Sequence, residues 1–213
     1  SKQIFSKEEL IKSFSLEGIK RSNSIFDIRK NDPKFFTDPK AISINAHYIR
    51  SMPLEDLEPY VKEHLKREGI WKKEYEREKR EWFLRTIDLV RARYHLLTDF
   101  VTLGRAYFSD DFPVDQAAVK NKILKYPGLR EWFDNLAKKL EEIDDFSTEN
   151  VEKIIREFAA EYRVKPGIII NGIRIAVTGQ AVGPGLFDIL IILGKKTVIK
   201  RLRRAVGFFE KQN

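Results

Sequence analysis

The chain has no cysteine, a single methionine and three histidines in 213 residues. Without thiols there can be no disulfide, no thiolate nucleophile and no sulfur-ligated zinc, and the cytoplasm is the default compartment to expect. His47, His64 and His95 stand far apart in sequence, which argues against a histidine-rich metal site. Long apolar runs are lacking too. The most apolar stretch, Leu186 to Leu193, contains Asp188 and falls far short of the roughly 20 residues that span a bilayer. The N-terminal segment carries Glu8 and Glu9 and no apolar core, so neither a signal peptide nor a membrane anchor is expected. Ser, Thr and His form no nucleophile arrangement. The acid clusters Asp110-Asp111, Glu141-Glu142 and Asp144-Asp145 fall in loops or at helix ends, which suits solvation better than paired catalytic carboxylates. No catalytic site is visible.

Positive charge is abundant. Lys and Arg number 40 against 32 Asp and Glu, a net charge of +8, which favours anionic partners, nucleic acid or an acidic membrane surface. Apolar residues make up 42% and charged residues 34%, the balance of a folded, charge-rich protein long enough to bury a core.

The periodicity is helical throughout. Ser6 with Glu9 has capping-box spacing and opens a short helix to Phe14. Ser22 to Ala46 reads as irregular, with turns at Asp32-Pro33 and Asp38-Pro39 and with Phe26, Phe35 and Phe36 pinning the loop to a core. A helix is expected from Pro53 to Lys66, ended by Gly69, and a longer one from Lys72 to Leu97. Helices over Asp115–Leu124, Leu129–Leu140 and from Ser147 follow. Ile168 to Ile170 has β propensity but no convincing partner strand, so a short helix or an extended connector is expected. Gly183-Pro184-Gly185 starts a helix that Gly194 ends, and Lys195 opens the last one. The expected architecture is all-α: a segment over residues 1–52, then helical bundles over 53–114 and 115–213.

Three features of this chain can carry function. The first is the glycine-rich turn Gly179 to Gly185. A Walker loop ends in Lys followed by Ser or Thr, and a dinucleotide fingerprint needs a preceding strand; this turn has neither. A tight turn between helices explains the glycines, and so does a bare backbone approached by another molecule. The second is the last helix, where Val198, Ile199, Leu202, Ala205, Val206 and Phe209 form an apolar face. Lys195, Lys196, Lys200, Arg201, Arg203 and Arg204 are left mainly outside, with no acid between them in sequence. Such a face can be merely solvated, or can hold backbone phosphates and release their counterions. The third is a set of isolated arginines, Arg93, Arg156 and Arg174, each beside apolar or aromatic residues. Core ion pairs and guanidinium groups stacked on splayed-out bases look alike in sequence.

The residues also carry a resemblance. Arg174-Ile175-Ala176-Val177-Thr178-Gly179, Gly183-Pro184-Gly185-Leu186-Phe187-Asp188-Ile189-Leu190, Leu193-Gly194-Lys195 and Arg201-Leu202 together resemble the signature of the bacterial glutamyl-tRNA synthetases, with Phe158-Ala159-Ala160-Glu161 just upstream. Leu16-Glu17, Phe26-Asp27 and Asn45 to Arg50 are similar to the family's stem-contact junction. Arg91-Ala92-Arg93-Tyr94, Phe100, Tyr107-Phe108 and Asp111 to Val114 are similar to its first anticodon-binding bundle.

The resemblance covers essentially the whole chain and implies the C-terminal half of such an enzyme: the end of the stem-contact region plus two anticodon-binding helical domains. It implies Arg174 stacked on the first anticodon base and Arg93 at the third, with Pro184 and Leu186 in the loop around the bases. Arg156, Lys195, Lys196, Lys200 and Arg201 are the candidate backbone contacts. The implied partner is tRNA, glutamate tRNA first, with a monomeric chain and no membrane. The HIGH-type and KMSKS-type motifs are absent, so ATP and magnesium are expected only for a catalytic domain outside this chain. Gly183 stands where a relative has threonine, removing a side-chain contact, and Lys30 to Ser43 looks like an insertion. The competing reading is a basic all-α scaffold without specific RNA binding.

Overall fold

Local chemistry sets most helix ends in the computed structural model, which describes residues 4–19 and 38–208. α1 (Lys7–Ser13) opens on Ser6, whose hydroxyl accepts the Glu9 N–H at 3.1 Å, while the Glu9 carboxylate accepts the Ser6 N–H at 2.9 Å. That is the expected capping box. Phe26, Phe35, Phe36, Phe209 and most of the Lys30–Ser43 insertion lie outside the described residues.

The described end of that stretch corrects the sequence expectation. Asp38-Pro39 does not make a turn there; it starts α2 (Pro39–Ser51). Asp38 accepts the N–H groups of Lys40 and Ala41, and proline at the first helical position needs no hydrogen bond. Ile42, Ala46 and Ile49 then form the buried face. α3 (Leu54–Arg67) buries Leu57, Val61 and Leu65, and Gly69 at φ +67° ends the run, as expected.

The long helix expected over Lys72–Leu97 is broken in two. A 3₁₀ turn at Lys73–Glu76 precedes α4 (Arg80–Arg91). Tyr75 causes the break: its ring stacks on Phe83 at 5.3 Å and on Trp82 at 5.4 Å, with Trp71 and Phe108 edge-on. An unbroken helix could not bring that buried ring back onto its own next turns. Packing has overridden propensity here. A second 3₁₀ turn (Leu97–Phe100) and the short α5 (Arg105–Phe108) close the first bundle.

The second bundle begins with α6 (Gln116–Ala118), which runs on as a π-helix over Val119–Leu124. α7 (Leu129–Glu142) and α8 (Thr148–Glu161) follow. Ile168 to Ile170 lie in α9 (Pro166–Thr178), a helix apolar on nearly every side and largely buried. Neighbours on all sides make a helix the better solution there, since it satisfies its own backbone hydrogen bonds. α10 (Leu186–Leu193) and α11 (Lys195–Ala205) complete the chain, divided at Gly194 as expected. Among the described residues there is no strand, so the architecture is all-α. The two bundles share one continuous apolar core, and the Trp82 indole N–H donates across them to the Ile192 carbonyl at 2.7 Å.

Candidate nucleic-acid interface

Where the bundles meet, a cleft of about 520 Å³ opens. One wall comes from the first bundle: Arg93 and His95 on the turn after α4, with Leu103 and Tyr107 beyond. The other comes from the end of α9 and the glycine-rich loop: Thr178, Gln180, Val182, Gly183 and Pro184. Among the described residues, no carboxylate lines it. Val182 is 77% exposed and Leu103 is 42% exposed, so the cleft offers bare apolar surface beside cations.

Arg174 lies against this cleft. Its half-buried guanidinium donates through Nη1 to the Pro184 carbonyl, tethering α9 to the loop. Burial pulls its pKa below the ordinary value; the Tyr107 phenol opposes that and the charge of Arg93 adds to it. Arginine keeps its proton through such a shift. Burial likewise raises the pKa of Tyr107 well above its ordinary value, so the phenol stays neutral. The Thr178 hydroxyl donates to the Arg174 carbonyl at 2.8 Å and accepts the Gln180 N–H at 3.2 Å, which closes the turn. Arg93 is exposed, and among the described residues its guanidinium makes no hydrogen bond or ion pair. The two arginines named from sequence therefore converge from separate bundles, one tethered and one free.

Glycine has a steric reason at one position of the loop. Gly179 has φ +74°, and a Cβ there would lie 2.2 Å from the Pro113 carbonyl oxygen. Its own carbonyl accepts the Asp115 N–H at 2.9 Å. The close approach is intramolecular, so at Gly179 the tight turn is the answer. A Cβ on Gly183 would meet nothing nearer than Arg174 Nη1 at 3.5 Å.

Two assignments need correction. Leu186, expected among the residues around the bases, is 3% exposed and packs into the core of α10. Arg201, expected on the outer basic face, is also 3% exposed. It donates to the carbonyls of Val177 and Ser109 at 2.7 and 3.0 Å and to Asp110 Oδ1 at 2.9 Å, and it lies over the Phe112 ring.

Its neighbours are engaged as well. The Lys195 ammonium caps α7 by donating to the carbonyls of Glu141 and Ile143, where the helix dipole is negative. Lys200 holds Asp110 Oδ2 at 2.7 Å, Arg203 holds Glu141, and Arg204 donates to the Asp110 carbonyl. Asp110, held by Lys200 and Arg201, has its pKa lowered to about 2. Among the described residues, Lys196 of this cluster is exposed with no side-chain partner, and Arg204 is exposed with no ion pair. The acids that neutralise α11 come from Asp110 and Glu141, distant in sequence. Arg156, on the exposed face of α8, pairs with Glu152 one turn earlier.

A family model described as an anticodon binding domain matches residues 54–206. The chain belongs to the anticodon binding domain family. It is 52% identical over 208 residues to the glutamate–tRNA ligase of Desulfotalea psychrophila, matching 98% of this chain and 42% of that protein. It is 38% identical to glutamate–tRNA ligase 2 of Koribacter versatilis, over 93% of this chain and 38% of that protein. The chain thus spans about two-fifths of the length of these curated relatives. Its fold is similar to the crystal structure of a glutamate tRNA ligase from Elizabethkingia meningosepticum, with a TM-score of 0.71 at 22% identity, covering 95% of this chain and 36% of that one.

Within this family member, several cleft residues have no signature in the sequence. His95, Leu103 and Tyr107 carry no local pattern that separates them from core positions; only the meeting of the bundles brings them to the cleft. Val182 does have a signal, being a branched apolar residue inside a turn of Gly, Gln and Pro. No described helix is long and apolar enough to cross a membrane.

Proposed function

We propose that the chain is the anticodon-reading part of a glutamate–tRNA ligase, and that the inter-bundle cleft receives anticodon bases of glutamate tRNA. One observation carries this reading: Arg93 lines, and Arg174 backs through Pro184, a cleft with exposed apolar surface and, among the described residues, no carboxylate. A base that leaves the anticodon stack needs a flat cation or apolar surface to stack on and donors for its edge. Arg174, tethered through Nη1 to Pro184, has a fixed plane and further N–H groups to offer. Arg93, free of protein partners, can settle on a second base. Each stacked base contributes about 1–3 kcal/mol. The part of the parent enzyme outside this chain would supply ATP and magnesium chemistry, and anticodon binding here would place the acceptor end at that distant site.

The test is binding of this chain, at two salt concentrations, to glutamate tRNA and to the same tRNA with changed anticodon bases. A preference that survives the higher salt is expected. Equal binding to both would sink base reading, and binding to neither would leave the scaffold reading.

A further inference from the structure

We propose that the surface holding the sugar–phosphate backbone beside the cleft is a track of unpaired cations on the π-helix, Lys120, Lys122 and Lys125, extended by Arg163 and Lys165 before α9. This rests on the reading of the cleft as an anticodon site and adds a separate surface to it. A phosphate needs a cation that is exposed and not already neutralised, because only such a charge exchanges its counterions for the nucleic acid. On α11 that condition fails for the ion-paired Lys200, Arg201 and Arg203 and for the half-buried Lys195, held by two carbonyls, and leaves only Lys196 and Arg204. All five residues of the proposed track are exposed and make no ion pair among the described residues.

Charge along the track is of one sign. From Gln116 to Arg130 the chain contains no acid. The nearest acids in sequence flank it: Asp115 Oδ1 accepts the Ala118 N–H at 3.0 Å as a helix cap, and the Glu131 carboxylate accepts from Asn135. At the far end, Glu161 is held by Lys139 at 2.8 Å. The buried positions of the π-helix, Val119 and Ile123, anchor it to the core and leave the lysines outside.

Position places the track next to the cleft. The Asp115 N–H donates to the Gly179 carbonyl, one residue from the cleft residues Thr178 and Gln180. Fourteen residues on, Leu129 packs against Gly172 of the same helix. The segment 115–129 therefore runs antiparallel to α9 from its C-terminal end toward its N-terminal end. Gly172 to Gly179 spans about 10 Å at the helical rise of 1.5 Å per residue, so the segment carrying the three lysines runs back along α9 from the cleft end by about that length. Arg163 and Lys165 stand just before Pro166, the first residue of α9, at the end toward which the segment runs. Arg163 has φ +52°, a left-handed helix cap where glycine is the low-strain residue. A strand of RNA whose bases turn into the cleft would lay its neighbouring phosphates along this line.

The experiment compares three proteins: the chain itself, the triple variant Lys120→Ala, Lys122→Ala and Lys125→Ala, and Lys200→Ala as a paired-lysine control. Affinity for glutamate tRNA and for its anticodon-changed form is measured across a salt series, with thermal melting to check folding. The triple variant should bind both RNAs more weakly by the same factor and flatten the salt slope by about 2, from roughly 0.7 for each phosphate that is no longer neutralised. Lys200→Ala should leave the slope nearly unchanged. A triple variant with wild-type slope and affinity, while the parent chain still prefers the cognate anticodon, overturns the track and leaves the cleft reading standing. Loss of the preference itself in the triple variant also overturns it, since a phosphate surface carries no base information. No RNA binding by the parent chain overturns both. Anionic vesicles bound as tightly as tRNA would mark a general polyanion surface and overturn the assignment. Should the triple variant melt early, Lys122→Glu alone serves, and it must weaken binding more than Lys122→Ala.

Discussion

Arg201 and Asp110, 91 residues apart, form the clamp that joins the last helix to the seam between the bundles. The guanidinium reaches Asp110 from Nε and Nη2 at 3.2 and 2.9 Å and turns its remaining edge to the carbonyls of Val177 and Ser109. Val177 precedes the cleft residue Thr178, and Ser109 follows Tyr107 by two, so the clamp sits behind both walls.

Removing the buried partner should therefore be costly. Arg201→Met leaves two carbonyls without their donor, and hydrogen bonds to a charged group contribute about 1.5–3 kcal/mol each, so a loss of roughly 3 kcal/mol is expected. Lys200→Ala breaks only an exposed pair and should cost less than about 1 kcal/mol. Urea unfolding of both variants checks the contrast; similar midpoints would mean that Arg201 carries no more than its neighbour.

The clamp also gives a pH dependence. The folded pKa of Asp110 is lowered to about 2 from an ordinary 3.8, chiefly by hydrogen bonds from Lys200 and Arg201. A carboxylate whose folded pKa is depressed stabilises the fold above its unfolded pKa, and this contribution is lost as pH falls through the folded value. Asp110→Asn should be less stable than the parent chain at pH 6, and the gap should close between about pH 4 and 2. Because the Asp110 side chain is half exposed, the gap should be modest. A difference that persists unchanged at pH 2 would show that charge is not its source.

Gly179 and Gly183 should differ sharply in their tolerance of alanine. At Gly179 the new methyl would meet the Pro113 carbonyl at 2.2 Å with φ positive, so Gly179→Ala should destabilise by well over about 1 kcal/mol. Gly183→Ala meets only ordinary contacts and should stay within about 0.5 kcal/mol. Thermal unfolding of the two variants side by side decides the matter, and a tolerant Gly179 would show that the loop can move away from Pro113.

Arg93 and Arg174 should separate stability from binding. Arg93 has no partner inside the protein, so Arg93→Ala should leave unfolding unchanged while lowering tRNA affinity by about 1–3 kcal/mol. Arg174→Ala should lower affinity by a similar amount and also loosen the loop that Pro184 tethers. Calorimetric titration with cognate and anticodon-changed tRNA reads the first effect and melting the second. An equal affinity loss for both RNAs would reduce either arginine to a plain charge.

Much of this is legible in the chain. Ser6 with Glu9, Gly69, Pro184-Gly185 and Gly194 mark helix ends through chemistry that acts within a few residues, and each behaves as its neighbours dictate. The apolar spacing of α7, α8 and α11 likewise foretells their buried faces. Arg93 and Arg174 stand out because a cation among apolar residues is visible without coordinates. The break at Tyr75 is not visible, since it depends on rings from Trp82, Phe83 and Phe108 closing around one side chain.

The charges divide along the same line. Sequence establishes that α11 is rich in cations and that residues 116–130 hold no acid. Folding settles which of those cations remain free: Asp110 and Glu141 arrive at α11 from other elements, while the lysines of the π-helix pair with no acid among the described residues. Helical periodicity reports only the charges within a turn or two of a residue. Neutralisation depends on elements tens of residues away, because Coulomb attraction acts through space and takes no account of distance along the chain.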